Sequence, residues 1–308
     1  MNEIYDVLVL GAGPAGLTAA LYTARANLRT LLLERLGPGG QMATTASIEN
    51  YPGFAEPIDG VELALRMLRQ AEGFGVEVIY DDVQRVHLSA PVKEVFGLSE
   101  RYIARTIIVA TGASPRKLLA PGEDRFVGQG VSYCATCDGP LYVNKDVLVV
   151  GGGDTAVEEA NFLSRFAARV TIVHRRDKFR AQSVLVKRVE DNPKIRIMYN
   201  TTVKSIIGES KVAGVVLSST VTGEDFLLPV EGVFVLIGQV PSTTFLQGVL
   251  PVDDRGYVYG ADDLSTSLPG VFVAGDIRHK TLRQVATAVG DGALAAHAAD
   301  QYLEGLKT

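Results

Sequence analysis

Val7-Leu-Val-Leu-Gly-Ala-Gly-Pro-Ala-Gly16 is an apolar run that breaks into a glycine-rich turn. Behind the turn, Leu17, Ala20, Leu21 and Ala24 fall at helical spacing, so the stretch reads as strand, turn and helix. A second apolar run, Thr30-Leu-Leu-Leu33, ends at Glu34. The same pattern is written again further on. Val147-Leu-Val-Val150 leads into Gly151-Gly-Gly-Asp-Thr-Ala156, a helix with Ala156, Ala160 and Leu163 on one face follows, and Val170-Thr-Ile-Val173 ends at His174. Gly11 to Glu34 and Gly151 to His174 span the same number of positions. Each copy is a βαβ unit of the kind that builds one dinucleotide site. The fold class follows: α/β, with two Rossmann-like, three-layer nucleotide-binding domains.

Three more apolar runs read as strands. Ile107-Ile-Val-Ala110 ends in Thr111-Gly112, Val233-Phe-Val-Leu-Ile237 ends in Gly238, and Val271-Phe-Val-Ala274 ends in Gly275-Asp276. A last helix is expected over most of Arg283 to Leu303. The order predicts a nested arrangement. Residues 1–115 and 248–308 form one domain, and 116–247 form a second one inserted into it, with hinges near Ser114-Pro115 and Pro241-Ser242.

The 308 residues suffice for two modest cores. The chain is 47% hydrophobic and 21% charged, ordinary for a globular protein and too apolar for disorder. A net charge of -5 without a basic stripe argues against nucleic acid as a partner. No apolar run approaches a membrane span, and the stretch from Met1 to Asp6 lacks the layout of a signal peptide. A cytoplasmic protein is expected.

The glycines of Gly11-x-Gly13-x-x-Gly16 have separate tasks: a tight turn, backbone approach to a pyrophosphate, and close helix–strand packing. The helix start offers free N–H groups to phosphate, and Glu34 stands where a carboxylate meets ribose hydroxyls. The second copy has no such acid. Its second strand runs into His174-Arg-Arg-Asp-Lys-Phe-Arg180. A 2′-phosphate repels an acid and binds guanidinium, so Arg175, Arg176 and Arg180 read as NADP-selecting residues. Ala156 takes the third glycine's place. Asp154 either caps its helix or lies near the pyrophosphate; the sequence leaves both open. Two sites, one marked for NADPH and one for FAD, describe a flavoprotein reductase.

The only two cysteines lie in Cys134-Ala-Thr-Cys137, with Asp138 next. This spacing suits a readily opened disulfide, and Asp138 is placed to move a proton. A structural disulfide or half a zinc site are the other readings. The first sits poorly with a cytoplasmic protein, and the second lacks further ligands.

Taken in order, the motifs Gly11-Ala-Gly-Pro-Ala-Gly16, Gly39-Gly-Gln41, Glu49-Asn-Tyr-Pro-Gly53, Ala110-Thr-Gly-Ala113, Cys134-Ala-Thr-Cys-Asp-Gly139, Gly151-Gly-Gly-Asp-Thr-Ala-Val-Glu-Glu159, His174-Arg-Arg176, Gly275-Asp276 and Arg283-Gln284 resemble the low-molecular-weight thioredoxin reductases over essentially the whole chain. The resemblance implies thioredoxin or a thioredoxin-like disulfide as partner, a homodimer, and a rotation between two interdomain states. It implies that Cys137 faces the flavin, that Cys134 attacks the partner, and that Asp138 is the acid–base residue. For FAD it implies Gln41, Asn50, Asp276 and Gln284, with Pro14, Ala15, Gly40, Thr111, Gly112, Gly275, Arg283 and Val285 from the same motifs. For NADPH it implies Gly151, Gly153, Asp154, Thr155, Ala156, His174 and the three arginines, with Ile237 and Gly238 after the last strand of the inserted domain.

Rival readings are a related flavin disulfide reductase with another donor or acceptor (ferredoxin, or a glutaredoxin- or peroxiredoxin-type protein) and a non-enzymatic flavin redox sensor. The basic run after the second unit argues against a ferredoxin donor, and a sensor needs no complete NADP half.

Overall fold

The computed structural model describes residues 4–45 and 47–307; Met1–Glu3, Ala46 and Thr308, and with them part of the stretch read for a signal peptide, lie outside the described residues. The chain divides into two compact units, 1–114 with 240–308, and 115–239. The second crossing falls at Gln239–Val240 and not at 248. The reason is packing: Leu246 and Leu250 are buried in the core of the first unit, with Phe245 and Val249 against it.

In the first unit, strands Ile4–Leu10, Thr30–Glu34, Glu77–Tyr80, Arg101–Val109 and Val271–Val273 run parallel in a seven-stranded sheet. Lys93–Phe96 and Arg85–His87 extend it as an antiparallel edge. Side chains alternate across it. Val7 and Val9 face one core, while Leu8 and Leu10 face the other. Both faces are covered, so the strand is apolar throughout rather than at every second position. Burying each such side chain stabilises the fold by about 1.5–3 kcal/mol. Helices Pro14–Arg25 and Val285–Gly305 cover one face. They pack closely because a Cβ on Gly292 would stand 2.2 Å from the Ala15 carbonyl oxygen.

The second unit repeats the scheme. Its five parallel strands lie in the order Ile195–Met198, Arg169–Val173, Asp146–Val150, Gly232–Val235, Val131–Ser132. Val147 and Val149 face helices Asp154–Leu163 and Ser183–Glu190. Leu148 and Val150 face an antiparallel sheet of Thr201–Gly208, Val212–Ser219 and Asp225–Leu228. Among the described residues, no helix is long and apolar enough to cross a membrane.

Candidate active site

In the first unit the expected FAD residues gather at the carboxyl ends of the parallel strands, where open α/β sheets bind their ligands. Gly11 follows Ile4–Leu10, Glu34 ends its strand, Thr111 and Gly112 follow Arg101–Val109, and Gly275 and Asp276 follow Val271–Val273. A Cβ on Gly11 would stand 2.6 Å from the Ala110 carbonyl oxygen, and one on Gly16 1.8 Å from that of Gly11, whereas one on Gly13 meets nothing within 4 Å. Packing therefore fixes Gly11 and Gly16, and Gly13 opens onto space that a phosphate can enter. No side chain caps the helix that starts at Pro14, so the N–H groups of Ala15 and Gly16 face that space.

Glu34 does more than the sequence indicated. Its Oε2 accepts from the Ala12 N–H at 2.8 Å and its Oε1 from Leu36 at 2.9 Å, which braces the loop. Each oxygen keeps a lone pair for a ribose hydroxyl. The Gly39 N–H donates to the Ala12 carbonyl at 2.7 Å and lays the turn Gly40–Thr44, with exposed Gln41, along the loop. Asn50 Nδ2 donates to Gln284 Oε1 at 3.0 Å. Gln284 caps Val285–Gly305 through reciprocal bonds with Thr287, and Val285 packs beside Met42. Thr111 Oγ1 donates to the Ser242 carbonyl at 2.9 Å, and the Arg283 guanidinium lies 4.1 Å from the Tyr257 ring centre. The Oδ1 of Asp276 is buried, with the Lys280 ammonium 3.3 Å away.

The second loop is built alike. A Cβ on Gly151 would meet Ala156 Cβ and the Leu236 carbonyl oxygen, each at 2.5 Å, while Gly153 is open. Asp154 makes no side-chain cap on its own helix. It accepts from the Gln182 N–H at 2.8 Å and so ties the following loop down. The Arg180 N–H donates to the Gly152 carbonyl at 2.8 Å and holds the same loop over the glycines. Thr155, Arg175, Arg176 and Arg180 are exposed. His174 is buried beneath them. Burial, then the charges of Arg180, Arg176 and Arg175, hold its ring below the ordinary histidine range. It is neutral near pH 7, and Nε2 has no partner among the described residues. Ile237 packs against the core beside Gly238, whose carbonyl accepts from the Arg116 N–H at 3.0 Å.

Cys134 and Cys137 form a disulfide with Cα atoms 5.3 Å apart. Cys134 is extended and caps the turn Ala135–Asp138, its Sγ accepting from the Cys137 N–H at 3.1 Å. Burial raises the Asp138 carboxyl above the usual carboxylate range, and the Ser132 hydroxyl beside it only partly opposes this. Ser132 also accepts from the Cys134 N–H at 3.1 Å. Glu159 closes a motif quoted from the sequence, but its role did not show there: its Oε2 accepts from the Ala135 N–H at 2.9 Å. A signal existed, because position 159 lies three after Ala156 and four before Leu163, on the buried stripe of that helix.

The sequence profile described as pyridine nucleotide-disulphide oxidoreductase matches residues 5–292. The chain belongs to that family. A protein named thioredoxin reductase from Listeria monocytogenes is 51% identical over 99% of this chain and 96% of its own length. One of that name from Bacillus subtilis is 50% identical, over 99% and 97%. The crystal structure of thioredoxin reductase from Streptococcus pyogenes is 46% identical over 99% of this chain and 100% of its own, with a TM-score of 0.95. The chain falls in the thioredoxin reductase branch of the oxidoreductase family. Membership implies a flavin and a pyridine nucleotide, and the open positions at Gly13 and Gly153 fit two dinucleotides. Among the described residues no group of three or more His, Cys, Asp or Glu side chains is placed to hold a metal ion.

Proposed function

We propose that this protein is an NADPH-dependent, FAD-containing thioredoxin-disulfide reductase that works as a homodimer and rotates its two units about the crossings at 114/115 and 239/240 between half-reactions. The observation that carries the reading is the Cys134–Cys137 disulfide, with a backbone donor on one sulfur and the raised Asp138 carboxyl at the end of the same turn.

When bound, NADPH supplies a hydride and the flavin relays two electrons. The first unit suits FAD through Gly11, Gly13, Gly16, Glu34, Asn50, Asp276 and Gln284. The second suits NADPH through Gly151, Gly153, Ala156 and the exposed arginines. The protein's own chemistry is proton handling and sulfur exchange. Opening the disulfide takes two electrons and two protons, and a neutral Asp138 has one proton to give. The Cys134 thiolate attacks the partner's disulfide to form a mixed disulfide, and the partner's other sulfur leaves. The Cys137 thiolate then attacks Cys134, re-forming the internal disulfide and freeing the reduced partner.

The test is Cys134→Ser, followed by NADPH oxidation with purified thioredoxin, glutaredoxin and peroxiredoxin disulfides. Flavin bleaching by NADPH should persist and disulfide turnover should vanish. Thioredoxin turnover in that variant would refute the assignment.

A further inference from the structure

Behind Asp276 lies a network of part-buried charges. Lys280 stands between two carboxylates, 3.3 Å from Asp276 Oδ1 and 3.1 Å from Asp291 Oδ2, and its side chain is 8% exposed. Its hydrogen bonds go to Asp291 Oδ2 and, at 3.4 Å, to Thr287 Oγ1, and at 3.3 Å it offers Asp276 Oδ1 its charge. Asp291 Oδ2 also accepts from Arg278 Nε and from the Gly275 N–H, both at 3.0 Å. Thr287 is the partner of Gln284 in the helix cap. One ammonium group thus touches Asp276 by charge, Gln284 through Thr287, and the backbone preceding Asp276 through Asp291.

The arrangement explains an otherwise costly feature. A buried carboxylate needs a counter-charge and donors. Here the counter-charge is Lys280, which stands beside Oδ1, the carboxylate oxygen closed off from solvent. Lys280 favours the ionised form of Asp276, and the part-exposed side of the carboxylate, away from Oδ1, is left for a ligand.

We propose that Lys280 and Asp291 are positioning residues for the flavin dinucleotide: they hold Asp276 as an ionised acceptor for a ligand hydroxyl and fix the turn that carries it. This rests on the FAD reading of the first unit. The groups facing Asp276 are Lys280, Arg283, Asp291 and Tyr257, with Arg278 reaching it through Asp291. Burial raises Asp276 and Asp291 adds to the rise, while Lys280 and Arg283 oppose it. An ionised acceptor binds a hydroxyl more strongly than a neutral one, so FAD affinity falls as pH drops through the Asp276 pKa.

The test measures FAD release on dilution of the FAD-loaded protein, by flavin fluorescence across a pH series. Lys280→Met should weaken FAD about tenfold near neutral pH, the order of one charge-assisted contact, and should move the fall in affinity to higher pH. Lys280→Arg, which keeps the charge, should restore the wild-type profile. Adding Asp291→Asn to Lys280→Met should move the fall back to lower pH, because it removes the remaining like charge. A merely structural role predicts no such opposite shifts. If Lys280→Met fails to fold, the profile of Asp291→Asn alone decides: a shift to lower pH supports the network. Unchanged affinity and profile in the folded variants would overturn it and leave the functional reading intact. A wild-type protein that holds no FAD would overturn both.

Discussion

The Glu159 carboxylate accepts a hydrogen bond from the backbone N–H of Ala135 at 2.9 Å, so the helix of the second glycine loop holds the turn that carries the cysteine pair. Ala135 is fully buried, so its N–H has no water to turn to. Glu159→Ala should therefore cost about 1–3 kcal/mol, read as a fall in Tm. Glu159→Gln keeps an acceptor and should fold normally. Burial raises the Glu159 pKa, which penalises the ionised form in the folded state. Wild-type stability should then decline as pH rises through that raised pKa, and Glu159→Gln should lack the decline. Parallel pH series of Tm for the two proteins would show a difference that grows with pH; parallel curves would contradict the account.

The arginines after the second unit support a sharper expectation. Arg175, Arg176 and Arg180 are exposed, on a loop tied down by Asp154 and by the Gly152 carbonyl. Such a site reads a 2′-phosphate with little reorganisation. Arg175→Ala with Arg176→Ala should lower the NADPH/NADH ratio of kcat/KM by roughly tenfold to a hundredfold for each guanidinium removed. Activity with NADH should change little. An unmoved ratio would remove the 2′-phosphate reading.

The two glycine loops and the cysteine pair were legible in the sequence because each is a local signal: a run, a turn and a spacing. What stayed hidden is long-range. Glu159 meets Ala135, Asp154 meets Gln182, and Lys280 meets Asp291 only once the chain is folded. Asp154 left two readings open because the decisive partner lies beyond the second strand of the unit. The hinge expected near Pro241-Ser242 lies beside the crossing at 239/240, whereas the burial of Leu246 and Leu250 in the first unit's core, which no local signal shows, draws 240–247 into that unit. The antiparallel sheet Thr201–Gly208, Val212–Ser219 and Asp225–Leu228 was not anticipated either. Its strands mix polar and apolar residues without strict alternation, and a register shift breaks the first pair near Lys204.

Gly13 and Gly16 separate binding from folding. A Cβ on Gly16 would stand 1.8 Å from the Gly11 carbonyl oxygen, so Gly16→Ala should disrupt the loop and lower stability. Gly13 has open space around it, so Gly13→Ala should fold with wild-type Tm in the FAD-free state. The added methyl occupies the approach of the phosphate, and FAD content on purification should drop. A Gly13→Ala protein with full FAD content would place the dinucleotide elsewhere.

Asp138 gives the pH expectation for the chemical step. Burial raises its pKa, so more of it is protonated near neutral pH than of an ordinary aspartate. Asp138→Asn keeps the volume and a partner for Ser132 but cannot exchange a proton. Turnover with oxidised thioredoxin should fall by about a hundredfold, the usual scale for losing a positioned acid–base group, while flavin reduction by NADPH continues. The stability effect has the opposite sign. A carboxyl whose folded pKa is raised contributes stability that is lost as pH rises through that pKa, so Asp138→Asn should match or exceed the wild-type Tm in mildly alkaline buffer. Because the turnover loss comes with unchanged or higher Tm, a damaged fold cannot explain it. Rapid-reaction absorbance at the flavin band separates the two half-reactions. If both slowed together, Asp138 would not be the proton carrier of the dithiol step.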